Sequence, residues 1–280
     1  MIDPCAASAA LQICRPQRWM TAMSLAPVLL NLDERGVASL ALNRPEVGNA
    51  DDGLMIEALL ATIDALSSHK ELRVAVLTGM AKHFQAGADL AWLRRLSEDS
   101  REANVRASDA TARAVARLNR LSVPTLALVQ GACFGGGMGI AAACDIVIAA
   151  DNAVFSIAEV RWGLTAAIVI PELSAAISAR QLRRYALTGE RFNAREAHRI
   201  GLIHLVVALQ DLAAAGAAMT ERLLASAPLA MAETTELLIE PANLADRNGL
   251  VLRHAAKRQS EEAREGLAAF AEKRAARWSR

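Results

Sequence analysis

Apolar positions along this chain follow two rhythms, short unbroken runs and a helical spacing, and the two alternate. Val28–Leu32 and Val37–Leu42 are strand-like runs joined by the turn Asp33–Gly36, a hairpin in which glycine supplies the awkward dihedral. Asn43-Arg44-Pro45 breaks the second run. Asp51 or Asp52 can cap a helix reaching about Ser67, with Leu54, Ala58, Ala61 and Ala65 at helical spacing. Val74–Leu77 is a buried strand by its unbroken apolar run, and the loop Gly79–Asp89 leads into a short helix near Leu90–Leu96. Arg101–Leu121 is a long amphipathic helix whose arginines read as a solvated face. Pro124 ends it, and Thr125–Val129 is the next strand. A glycine-rich stretch, Gly131–Gly139, and a helix to Ala143 precede another apolar strand, Ile146–Ala149.

This alternation predicts an α/β core of parallel strands with right-handed crossovers. After about Ile170 the pattern predicts no further strand. Segments 171–187, 194–200, 211–226, 228–239 and 246–277 read as helices, with Asn193 and Pro228 as start signals. The expected organisation is an α/β core over 24–205 and a helical subdomain over 206–280, of the kind that docks on a neighbouring subunit. Residues 1–23 read as a disordered extension or an upstream start site.

Composition narrows the function classes. The 280 residues carry a formal net charge of +1, which gives no field for nucleic acid or a membrane surface. Aliphatic, aromatic and Cys residues make up 53%, enough for a sizeable core. No apolar run approaches the roughly 18–20 residues of a membrane span. Cys5, Cys14, Cys133 and Cys144 lack metal-ligand or disulfide-framework spacing, which suits a reducing cytoplasm. The five histidines are scattered, so no metal is expected. A protein acting on small molecules is the expectation.

Two loops place glycine between a buried strand and a helix: His83–Asp89 and Gly131–Gly139. First-turn N–H groups of a helix have no internal partner and suit an anion or a developing oxyanion. Close helix–strand packing is an equally good reason for such glycines. The loop lacks the Walker Lys-Ser/Thr pair and the GxGxxG spacing, and the chain has no Gly-x-Ser-x-Gly. Glu159, between the apolar run Ala153–Ile157 and Trp162-Gly163-Leu164, is the remaining candidate. Spacing alone favours a salt bridge to Arg161 over a carboxyl with a raised pKa fitted to proton transfer. Tyr185, mid-helix, reads as packed rather than catalytic.

From Val28 to Arg280 the chain resembles the enoyl-CoA hydratase/isomerase (crotonase) superfamily. Leu42–Val47 with Asn49-Ala50 is similar to its opening motif, Phe84–Leu90 to its first oxyanion loop and Val129–Asp145 to its second. Phe155–Leu164 resembles the catalytic-glutamate stretch. Tyr185–Gly201 is similar to the lead-in to the helical subdomain, and Glu262–Arg274 to the C-terminal signature. The resemblance implies a crotonase-like spiral of ββα turns with a C-terminal helical subdomain, assembled as trimers or dimers of trimers. It implies an acyl-CoA thioester as substrate, with coenzyme A part of that substrate and no separate cofactor. Ala88 and Gly136 match the two N–H donors to the thioester oxygen, and Glu159 matches the catalytic carboxylate. Val47, Ala86, Gly87, Asp89, Leu90, Gly135, Gly139, Trp162, Thr165 and Lys273 match substrate-binding positions, and the resemblance implies that Lys273 reaches coenzyme A phosphates, in its own or a neighbouring subunit.

Two departures stand out. The first of the family's two hydratase glutamates maps onto Gly139. Leu164-Thr165-Ala166-Ala167-Ile168 replaces a proline followed by a glycine-rich run. Both are similar to branches acting on branched glutaconyl-type thioesters, such as isohexenylglutaconyl-CoA hydratase, and to single-glutamate isomerases. The resulting expectation is hydration of a branched or carboxylated enoyl-CoA. The alternatives are a shift of the double bond between the 3 and 2 positions, a decarboxylase or other lyase, and a non-catalytic acyl-CoA-binding protein.

Overall fold

A computed structural model describes residues 26–239 and 247–279. The extension expected over 1–23 lies outside the described residues. Two sheets organise the core. The larger has six strands: β1 (Val28–Leu32), β2 (Val37–Leu42), β3 (Val74–Gly79), β4 (Thr125–Val129), β6 (Ile146–Ala150) and β9 (Leu205–Val207), adjacent in that order. Only the β1–β2 hairpin is antiparallel; the later pairs are parallel. Asp33 ties the hairpin turn by accepting from the N–H groups of Arg35 and Val37, both at 2.9 Å, and Gly36 takes φ 80°. β4 is buried at every position: Leu126–Val129 are apolar, and Thr125 donates its N–H and its hydroxyl to Asp145 Oδ2, both at 2.7 Å.

The smaller sheet joins β5 (Ala132–Phe134), β7 (Val154–Ser156) and β8 (Phe192–Asn193). Two single parallel bridges, Gln85 with Cys133 and Asp51 with Ala88, carry its hydrogen bonding into the preceding loops. A strand of the large sheet thus runs into the small sheet and then into a helix. β4, β5 and α4 (Gly136–Ala142) form one such ββα turn; β6, β7 and α5 (Ile170–Ala176) form the next, with a 3-10 turn at Glu159–Trp162 between β7 and α5.

Helices α1 (Gly53–Ser67) and α3 (Arg101–Asn119) pack on each other, while α2 (Leu90–Ser97) follows the first glycine loop. Asp52, not Asp51, caps α1, accepting from Met55 N–H at 2.9 Å. The buried stripe of α1 is Met55, Ile56, Leu59, Ile63 and Leu66, rather than the expected Leu54, Ala58, Ala61 and Ala65; Leu54 is 68% exposed. Alanines bury little area, so the larger side chains set the rotation of the helix. Arginines of α3 form ion pairs on an exposed face, Arg113 with Asp109 and Arg117 with Asp64, consistent with a solvated stripe.

Strands do not stop at Ile170: β8 and β9 follow. Each is too short to show a period of its own and exists through pairing with β7 and β6. The 171–187 segment is two helices, α5 and α6 (Ala179–Thr188), separated at Ile177-Ser178, where Ser178 caps α6. After α7 (Ala194–Arg199) the expected core boundary at 205/206 falls inside β9. Helix α8 (Leu212–Leu224) buries Leu212 and Leu224 with Val74, Leu126 and Leu128 of the sheet, so it belongs to the core. Beyond it lie α9 (Pro228–Ile239), α10 (Arg247–Arg258) and α11 (Glu261–Glu272). Ser260, capping α11, divides the helix expected over 246–277. Tyr185 is packed, as expected: it is 2% exposed, its ring lies 4.1 Å from that of Phe192, and its hydroxyl donates to Glu196 at 2.5 Å.

Candidate active site

The two glycine loops and Glu159 meet at the edge of the small sheet. The opening loop and the Phe84–Asp89 loop run side by side, with Ala86 N–H donating to Gly48 O at 3.0 Å and Asp51 N–H to Gly87 O at 3.1 Å. Arg44 clamps them through Asp52 and Asp89, 3.1 Å from each. Asp89 also caps α2, accepting from Ala91 and Trp92 N–H groups at 2.9 and 3.1 Å. Those amide bonds, with Arg44, hold its carboxyl below the usual carboxylate range. The Asp89 side chain is thereby engaged in building the loop, and its backbone is too, its N–H donating to Asp51 O at 2.8 Å and its carbonyl accepting from Leu93 N–H at 2.9 Å. Val47 and Leu90, at the ends of this paired-loop unit, are 40% and 58% exposed.

Gly135 is the N-cap of α4 at φ 49°, ψ −114°, a backbone conformation that only glycine adopts with ease. It leaves Gly136 as the first residue of the helix. Among the described residues the N–H groups of Gly136 and Ala88 donate to no protein acceptor. Two free donors at the positive end of a helix and beside the paired loops are what a thioester oxyanion would require.

Glu159 opens the 3-10 turn after β7, and a Cβ on Gly135 would stand 2.9 Å from its Oε1. Its Oε2 is buried and accepts no hydrogen bond. Burial raises its pKa above the ordinary value. The expected salt bridge does not form: Arg161 Nε donates to Thr188 O at 3.1 Å, at the C-terminal end of α6. The carbonyl ends of α6 attract the guanidinium away from the glutamate.

Gly139 lies buried in α4, where a Cβ would meet Val169 Cγ1 at 2.2 Å and Val169 Cβ at 2.6 Å. The space a glutamate at 139 would need is filled by the valine that starts α5. Gly139→Ala should therefore lose about 1–3 kcal/mol, reversing the usual helix gain of up to ~1 kcal/mol for this exchange. A second substitution, Val169→Ala, should recover much of the loss. Thermal melts decide it, and a Gly139→Ala protein that melts with the wild type would show the contact to be unimportant.

Other expected positions are less closely gathered. Trp162 is 64% exposed, Thr165 is exposed, and neither forms a side-chain hydrogen bond among the described residues. Lys273, at φ 55° after α11, is exposed, and among the described residues its side chain makes no bond to either loop. Sequence reasoning missed Asp51 and Gln85, a buried pair beside Ala88, because Asp51-Asp52 reads as a choice of helix caps.

A model of the enoyl-CoA hydratase/isomerase family matches residues 33–280. An enoyl-CoA hydratase crystal structure from Shewanella pealeana is similar at 35% identity and TM-score 0.83, covering 91% of this chain and 96% of its own. Carnitinyl-CoA dehydratase of Proteus mirabilis is 33% identical across 89% of this chain and 97% of its own. Hydroxycinnamoyl-CoA hydratase-lyase of Pseudomonas fluorescens is 30% identical across 71% of this chain and 73% of its own. The spiral α/β core with its C-terminal helices is the crotonase fold.

Proposed function

The chain belongs to the enoyl-CoA hydratase/isomerase family of acyl-CoA enzymes, and from that premise we propose that it adds water to an α,β-unsaturated, branched or carboxylated acyl-CoA. The observation that carries the reading is a carboxyl group without a partner, Glu159, beside a loop with a free N–H donor at Gly136. Ala88 and Gly136 N–H groups take up charge on the thioester oxygen as the β-carbon is attacked. Glu159 removes the proton from water while the new C–O bond forms. Proton return to the α-carbon then completes the hydrate. A base must be ionised, so kcat/KM falls as pH drops through the Glu159 pKa; since burial raises that pKa, the acid limb lies above that of an ordinary glutamate.

The family relatives named above include a hydratase, a dehydratase and a hydratase-lyase, which supports carbon–oxygen bond chemistry. The blocked position 139 favours a second reading, double-bond isomerisation, because one carboxylate suffices to move a proton from the α- to the γ-carbon. Incubation with crotonyl-, 3-enoyl- and 3-methylglutaconyl-CoA in deuterated water separates them. Hydration adds the mass of water, isomerisation places solvent deuterium at the α- or γ-carbon, and a pure binder does neither. The absence of hydrate from all three would remove the reading.

The proposal includes a cytoplasmic homo-oligomer of three or six copies of the 29.8-kDa chain. Phe270 and Trp162, 86% and 64% exposed, would be covered in it, and Lys273 would reach coenzyme A phosphates of a neighbour. Light scattering that returns a monomer mass would overturn this part.

A further inference from the structure

A second carboxyl group stands at this site. Asp51 pairs through its backbone with Ala88: its N–H donates to Gly87 O at 3.1 Å, and Asp89 N–H donates to its carbonyl at 2.8 Å. Partners in a parallel bridge direct their side chains to the same face, so the Asp51 carboxyl and the Ala88 methyl share one. The carboxyl also lies beside the second glycine, since a Cβ on Gly136 would stand 3.3 Å from Asp51 Oδ1. Glu159 occupies the corresponding place beside Gly135. Two carboxyl groups therefore flank two consecutive glycines of the oxyanion loop.

Asp51 is only 8% exposed and forms no ion pair among the described residues. Gln85 Nε2 donates to its Oδ1, and Gln85 Oε1 is taken by Gly87 N–H at 2.8 Å, which fixes the amide. The charged and titratable groups around it are Asp52 and Arg44 on its own loop, Asp89 and His83 on the neighbouring loop, and Glu159 beyond Gly135. Arg44, the cation of this set, is already shared by Asp52 and Asp89. Burial outweighs the bond from Gln85 and the charge of Arg44, so the Asp51 carboxyl holds its proton to higher pH than an ordinary aspartate. A protonated carboxyl is a donor.

We propose that Asp51 is the second acid of this site, delivering a proton to the substrate's α-carbon in place of any side chain at position 139. The proposal rests on the hydratase reading. Glu159 takes one proton from water as the water oxygen bonds to the β-carbon and the double-bond electrons move onto the thioester oxygen. When those electrons return, the α-carbon takes the Asp51 proton, leaving an Asp51 carboxylate and a Glu159 carboxylic acid. A proton passed from Glu159 to Asp51 through solvent restores both groups. The sum is one water added, with no oxidation or reduction.

Asp51→Asn keeps the shape and the acceptor for Gln85 but removes the proton. Hydration kcat is expected to fall about 100-fold, with KM changed less than threefold and the alkaline limb of the kcat–pH profile lost. Hydration within threefold of the wild type and an unchanged profile would overturn the proposal, as would a wild-type profile with no alkaline limb. Should that variant fail to fold, Gln85→Leu serves. Loss of the amide raises the Asp51 pKa further, so the alkaline limb must move to higher pH. A limb that stays in place, with only a lower melting temperature, marks Asp51 as structural and overturns the proposal. If the wild type hydrates no enoyl-CoA, the hydratase reading falls and this proposal with it. If the wild type hydrates, Glu159→Gln does not, and Asp51→Asn does at near wild-type rate, only the Asp51 proposal fails.

Discussion

Glu159→Gln is expected to lower turnover about 10²–10⁴-fold while leaving acyl-CoA binding within a few-fold of the wild type. The substitution preserves volume beside Gly135 and breaks no ion pair, because Arg161 is bonded to Thr188 O instead. What it removes is the proton acceptor. The Glu159 Oε2 atom has no hydrogen bond in the free protein, so its basicity is not spent on the scaffold. Loss of enoyl-thioester absorbance measures turnover, and calorimetry with a non-reactive acyl-CoA measures binding. The acid limb of kcat/KM should vanish in the residual activity. Turnover within tenfold of the wild type would remove Glu159 as the base, whatever the family resemblance.

Gly136→Pro should cost about 10²–10³-fold in kcat/KM, the worth of one oxyanion donor at about 3–4 kcal/mol. Proline ordinarily makes a blunt probe because its ring bends a helix. Here Gly136 is the first residue of α4, the position where the N–H has no intrahelical partner and helices tolerate proline. Gly135, with ψ −114°, already avoids the α conformation that a following proline excludes. One tight point remains: the added Cβ would stand 3.3 Å from Asp51 Oδ1, which must give by a few tenths of an ångström. The expected protein therefore folds, melts near the wild type and binds the oxyanion poorly. A rate within fivefold of the wild type would rule out the Gly136 amide as a donor.

Much of the core was legible because its elements are locally determined. β4 ends where its apolar run Leu126–Val129 does, and the hairpin turn follows from Asp33 and Gly36. Local chemistry predicted only that a glycine loop feeding a helix leaves N–H groups free; the positions Ala88 and Gly136 came from the resemblance of the two loops. The short strands β8 and β9 were not, since their pairing partners lie tens of residues away. Asp51 was invisible as a candidate because its neighbour Asp52 makes the cap and nothing in the sequence marks which of the two is buried.

The chain's own sequence determined the longer strands and helices of the core, the two glycine loops and the presence of a carboxylate at 159, properties of local periodicity, turn chemistry and residue identity. Tertiary structure decided what each group meets. It drew Arg161 to the end of α6, filled the space beside Gly139 with Val169, and buried Asp51 next to Gly136. Whether a carboxyl is an ion-pair partner or a proton carrier depends on its desolvation and its neighbours in space. Those are fixed only when distant segments pack, and so the spacing that favoured a salt bridge for Glu159 could not foresee its free oxygen.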